Sequence, residues 1–286
     1  MKYLAAIGLF LFPIFFLSCQ EEVNTPSTSQ TIGQEVEFID PSIWAIFQDQ
    51  NKVYWLGSKD NGVYRYDGKG LVHYTQEDGL VSDQIRGIQS DSSGHLFFDT
   101  SEGISRFDGN TFTTLVPMES DEKNWKIEPG DLWFNQIGLK SGVFRYDGEN
   151  LYHLTFPDFD WKERFGYPMP DFRFGAAFGV YGIHQDKAGN MWFGTPLAGV
   201  IRFDGESFLW IAEKELTELE DGRVPGIRFI LEDKQGDFWL SHCLNRYEFV
   251  PRDPNNPDSK DSYLKKPGVP AQNGGATLNF PIFFPV

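Results

Sequence analysis

NGVYRYDG, residues 61–68, returns as EGISRFDG from Glu102, SGVFRYDG from Ser141 and AGVIRFDG from Ala198. The arginine of each copy sets the period. Arg65, Arg106, Arg145 and Arg202, with a degenerate fifth at Arg246 in LNRYEF, are separated by 41, 39, 57 and 44 residues. A unit of about forty residues, interrupted once, reads as stacked copies of one supersecondary structure. The surroundings repeat as well: VYWLGS from Val53, HLFFDT from His95, DLWFNQ from Asp131, NMWFGT from Asn190 and DFWLSH from Asp237. They place Trp55, Phe97, Trp133, Trp192 and Trp239 in register. Further upstream, IWAIFQD, IRGIQSD, VYGIHQD and IRFILED end at Asp49, Asp91, Asp186 and Asp233.

Each unit is a series of short apolar runs rich in Trp, Phe, Tyr, Val and Ile and punctuated by Gly and Asp, which is the pattern of strands. Asp67-Gly68, Asp108-Gly109, Asp147-Gly148 and Asp204-Gly205 are expected as two-residue hairpin turns, because both residue types tolerate positive φ. Four short antiparallel strands in about forty residues make one blade of a β-propeller. The expected fold is therefore all-β, a propeller of about five four-stranded blades over residues 35–250. The fifth copy offers three strands before PRDPNNPDSKDS, residues 251–262. QEVEFI, Gln34 to Ile39, is expected to add the missing outer strand and close the ring. Residues 251–286, dense in Pro and Gly, are expected to form an irregular tail.

Written as I-x-x-I-x-x-D-x-x-G-x-x-W-F-G-T followed by G-V-Y-R-Y-D-G-x-x-F, the unit resembles the two-component regulator propeller repeat, over roughly Ser42 to Phe249. The third copy departs at its start, Trp125 to Gly130, and the fifth lacks the Asp-Gly turn. Such repeats occur in the sensor regions of many bacterial hybrid histidine kinases. The resemblance implies an environmental-sensing or carbohydrate-linked role, with the signal passed to another protein. Some bacterial propellers with similar repeats are lyases that use a catalytic His and a metal near the axis, so an enzyme is the rival reading. A scaffold subunit of an envelope complex is another.

At the N-terminus, Lys2 precedes an apolar run from Leu4 to Leu17 and then Ser18-Cys19, the layout of a secretory signal and too short for a membrane span. Phe16-Leu17-Ser18-Cys19 resembles a bacterial lipobox. Residues 1–18 are expected to be removed, leaving acylated Cys19 in the lipid bilayer and residues 19–34 as a flexible tether. Glu21-Glu22 is similar to the surface-export signal of some Bacteroidota lipoproteins. The expected address is the cell envelope, as an outer-membrane lipoprotein facing the periplasm or the surface. The chain has two cysteines, so with Cys19 lipidated Cys243 has no internal disulfide partner and the core must supply stability. A formal charge of −16 repels phosphate backbones and excludes nucleic acid as a partner.

Residues that recur in every copy are expected to pack, pair and turn, with the Arg reaching a carboxylate of its own or the adjacent blade, such as the Asp that ends the first strand. Function is expected where the repeat breaks. The longest break, Phe156 to Tyr181, holds Trp161, Arg164, Tyr167 and Arg173, aromatics beside cations that suit a sugar ring or an extended chain. A self-packed flap fits the same composition. Gln136, Lys140 and His242 stand in loops expected on the same face. These seven residues are the candidate contacts for an unidentified glycan, small ligand or envelope protein. No nucleophile–base pair, metal-ligand spacing or cofactor motif appears, so the expectation is a binding module without catalytic residues, metal or cofactor.

Overall fold

A computed structural model describes residues 32–119, 124–135, 142–157, 160–166, 168, 178–212, 216, 226–240 and 245–267. Its strands form five sheets, one for each sequence repeat. Blade one holds β1 (Gln34–Glu35), β2 (Ile43–Gln48), β3 (Tyr54–Ser58), β4 (Val63–Tyr66) and β5 (Leu71–Tyr74). Blade two holds β6 (Ile85–Ser90), β7 (Leu96–Thr100), β8 (Ile104–Phe107) and β9 (Phe112–Leu115). Blade three holds β10 (Met118–Glu119), β11 (Leu132–Asn135), β12 (Val143–Tyr146) and β13 (Leu151–Leu154). Blade four holds β14 (Gly182–Gln185), β15 (Met191–Gly194), β16 (Val200–Phe203) and β17 (Phe208–Ile211). Blade five holds β18 (Ile230–Glu232), β19 (Asp237–Leu240), β20 (Asn245–Val250) and β21 (Ser262–Pro267). The protein is a β-propeller of five blades.

The repeated residues hold each blade together. Asp49, Asp186 and Asp233 each accept the indole N–H of the Trp six residues on, at 3.0, 2.8 and 2.7 Å. Their other oxygen accepts turn amides, as Asp49 Oδ1 does from Asn51 and Val53. In blade two Phe97 has no N–H to give, and His95 Nδ1 meets Asp91 Oδ2 instead, at 2.9 Å. The recurring Arg does not reach the first-strand Asp. Arg145 pairs with Asp131 (2.6 and 2.8 Å) and Arg246 with Asp237 (3.0 Å) in their own blades, Arg202 reaches Asp261 of the adjacent blade five (3.0 Å), and Arg106 meets the His95 ring (3.0 Å). The hairpin turns also differ from expectation. Asp108 N–H donates to the Thr111 carbonyl, so the two turn residues are Gly109 and Asn110, and only the Gly has positive φ (100°). A Gly at the first central position suits a II′-type turn. Asp108 precedes it, and its Oδ1 accepts from Asn110 and Thr111, both at 2.8 Å.

Two strand assignments are corrected. Gln34–Glu35 pairs with β5, Gln34 opposite His73, and so extends the outer edge of blade one without reaching blade five. The outer strand of blade five is β21, antiparallel to β20 with Glu248 opposite Leu264, so the C-terminal region is not wholly irregular. Lys266 Nζ sits between Asp237 (2.9 Å) and Glu248 (2.8 Å). A hairpin closed over a short loop costs less chain entropy than one joining the two ends of the domain.

Neighbouring blades pack face to face. Trp55 meets Phe98 and Phe107 of blade two, Phe97 meets Phe134 and Tyr146 of blade three, Trp133 meets Phe193 of blade four, and Trp192 stacks on Phe238 of blade five at 4.1 Å. Among the described residues no hydrophobic cluster joins blade five to blade one. Tyr54 and Tyr66 are 43% and 42% exposed, whereas their repeat equivalents Leu96 and Phe107 are 3% and 5% exposed. Leu231 and Leu264 are likewise open on the far face of blade five.

Blade three is the exception. β11 takes its innermost place, touching β14 of blade four, and β10 lies parallel to β13 on the outer edge. Among the described residues nothing supplies an inner strand before β11. Trp125 is instead inserted between blades three and four, against Trp133, Phe156, Phe203 and Phe208, with its indole N–H on the Thr155 carbonyl at 3.0 Å.

Candidate functional site

The missing strand leaves a cavity of about 350 Å³ between three blades. Gly87, Ile88 and Gln89 of β6 and Asp99 of β7 form one wall. Asp131, Trp133 and Asn135 form the floor, and Ile183, Gln185 and Met191 of blade four form the other wall. Its size falls within the range of small-molecule sites.

Side chains of blade two stand where a strand's backbone would have been. Gln89 Nε2 donates to the Trp133 carbonyl at 2.7 Å, and Asn135 N–H donates to Asp99 Oδ2 at 3.3 Å. Both groups belong to the edge of β11 that faces the gap. Asp99 occupies the position of Gly57 in blade one and Gly194 in blade four. A Cβ at Gly57 would collide with Ile85 of the next blade's first strand, and one at Gly194 with the Ile227 carbonyl. At Asp99 no such strand follows among the described residues, so a side chain fits, and the carboxyl lines the cavity.

Two polar groups here are left over. Asn135 Oδ1 is buried without a hydrogen-bond partner, an arrangement that costs free energy unless a ligand or water fills it. Asp99 is 3% exposed, and its Oδ1 makes no hydrogen bond among the described residues. Burial pushes its carboxyl up to about 7, against the opposing pull of Arg86 and the Asn135 N–H. Asp131, by contrast, is engaged bidentately by the fully buried Arg145.

The residues expected from sequence lie elsewhere. Trp161 begins the short helix α1 (Trp161–Phe165), which is capped by Asp160 and Gly166. It is buried in the cluster between blades three and four, so its ring face is not open to a ligand. Arg164 is exposed, with its guanidinium carbon 5.9 Å from the Trp210 ring centroid. Neither lines the cavity. Tyr167, Arg173, Gln136, Lys140, His242 and Cys19 lie outside the described residues. Asp99, Asn135, Gln89 and Gln185 were missed, although Asp and Asn replacing Gly in HLFFDT and DLWFNQ was a visible signal. His73 and His153 are structural: His73 Nε2 meets the Asn61 carbonyl at 2.7 Å and His153 Nδ1 meets Glu119 at 3.0 Å.

With this geometry in place, comparison with known proteins defines the class. Residues 179–196, the start of blade four, match the two component regulator propeller family. The extracellular domain of a hybrid two component system from B. thetaiotaomicron superposes with a TM-score of 0.52 at 18% identity, over 79% of this chain and 31% of that one. A second structure of that same extracellular domain, there described as a one component system, gives 0.51 at 18% identity over 80% and 31%. Virginiamycin B lyase from Staphylococcus aureus gives 0.50 at 12% identity, over 82% and 73%. No curated protein matches the chain in sequence. The chain spans under a third of the first two structures, and at these identities the likeness is one of fold.

Proposed function

We propose that the protein is an extracytoplasmic binding module, anchored through acylated Cys19, whose ligand seats in the cavity left by the missing strand of blade three. One observation carries this reading: a gap in an otherwise regular repeat is lined by the buried carboxyl of Asp99 and by a buried amide oxygen, Asn135 Oδ1, that no described residue satisfies. The match to the two component regulator propeller family supports a sensory use. The cavity holds amides and carboxyls but no nucleophile–base pair, which favours binding over turnover.

Two experiments test it. Cys19→Ala should abolish acyl labelling and release the protein from the membrane fraction; continued membrane attachment would count against the anchor. Thermal-shift screening of small polar compounds should find ligands that raise the midpoint of the wild type and lose that effect in Asn135→Leu. If every stabilising compound acts equally on both proteins, the site lies elsewhere.

A further inference from the structure

We infer that the group received by this cavity is an ammonium or guanidinium carried on a small ligand, an inference that rests on the cavity being the binding site. Both polar groups with capacity to spare among the described residues are acceptors: Asn135 Oδ1 is buried without a partner, and the Asp99 carboxyl accepts one hydrogen bond, at Oδ2. The remaining carboxylate, Asp131, already has its cation in Arg145. Anionic ligands would face two carboxyl groups at close range. A hydroxyl brings one donor for two acceptors, whereas an ammonium brings three and supplies the charge that a buried carboxylate lacks.

Among the described residues, the charged groups around Asp99 leave that place open. On blade two, Arg86 attracts Asp99 but directs Nη2 to Gln84 Oε1 at 3.3 Å and forms no ion pair with it. On blade three, Arg145 and Asp131 neutralise each other. Blade four contributes Ile183, Gln185 and Met191, none of them charged. Seating a cation therefore means ionising Asp99, whose carboxyl burial has raised to about 7. A proton leaves as the ligand enters, and affinity for a permanently charged amine rises with pH until about 7.

Phenethylamine and phenethyl alcohol, which differ only in the polar group, serve as probes in calorimetric titrations of the wild type, Asp99→Asn and Asn135→Leu. The expected result is at least about tenfold tighter binding of the amine at pH 8, with proton release below pH 7 shown by a buffer-dependent heat. That preference should shrink toward pH 5.5 and vanish in Asp99→Asn, with circular dichroism melts confirming that both variants fold. Equal or tighter binding of the alcohol, loss of which in Asn135→Leu keeps the cavity as the site, overturns the charge inference alone. Binding of neither probe, or an unchanged preference in Asp99→Asn, overturns it as well. Amine binding indifferent to Asn135→Leu overturns the site itself.

Discussion

Where a glycine is replaced by a longer side chain, the replacement reports on the neighbour it no longer touches. Gly57 and Gly194 are pressed by the next blade, and Asp99 has no such neighbour. Its carboxyl is an acid whose folded-state pKa, about 7, is raised by burial from 3.8. The associated stability is whole below about pH 4 and is lost as pH climbs through 7. Asp99→Asn cannot ionise, so it should match the wild type near pH 4 and exceed it by roughly 1–3 kcal/mol at pH 8 in urea denaturation. The turn aspartates run the other way. Backbone amides of Gly70 and Lys69 lower Asp67, and those of Thr111 and Asn110 lower Asp108. Their contributions are present above pH 4 and lost as these groups protonate below it. A titration of thermal midpoint against pH should therefore fall below pH 4 in both proteins, and should decline between about pH 4 and pH 7 through this group in the wild type alone.

At the scale of the element, the insertion between blades three and four is tied to the core through α1. Trp161→Ala should cost about 3–5 kcal/mol in unfolding free energy, as truncation of a buried aromatic does; a loss near zero would return Trp161 to the surface. The two terminal strands carry different weights. Tyr263 packs on Tyr247 at 5.8 Å, so Tyr263→Ala should cost about 1–2 kcal/mol. Gln34→Pro, in a two-residue edge strand, should cost less than about 1 kcal/mol. Equal effects in chemical denaturation would contradict the strand assignment. The strands and blades were legible in the sequence because short apolar runs, Trp placement and turn chemistry act over a few residues. Which segment completes blade five was not, since QEVEFI alternates like an edge strand whereas SYLKKP stands in a stretch whose Pro and Gly read as an irregular tail, and the short loop 251–261 decides for the second. The site was half-legible. The departure at Trp125 to Gly130 marked the irregular blade, but not that Trp125 would pack between blades three and four.

At the scale of the molecule, four hydrophobic interfaces join the five blades among the described residues, and Tyr54, Tyr66, Leu231 and Leu264 of the first and last blades are exposed. Each interior blade is buried on both sides, each end blade on one. Amide hydrogen exchange of the intact protein should show the slowest strands in blades three and four, with protection falling toward β2–β5 and toward β20–β21. Uniform protection across all five would argue for a single cooperative ring. The consequence concerns how the molecule comes apart. A row of repeats bound only to nearest neighbours behaves as a one-dimensional chain of coupled units. Such a row can fray at its first or last member while the middle holds, and its middle is where the vacated strand position lies.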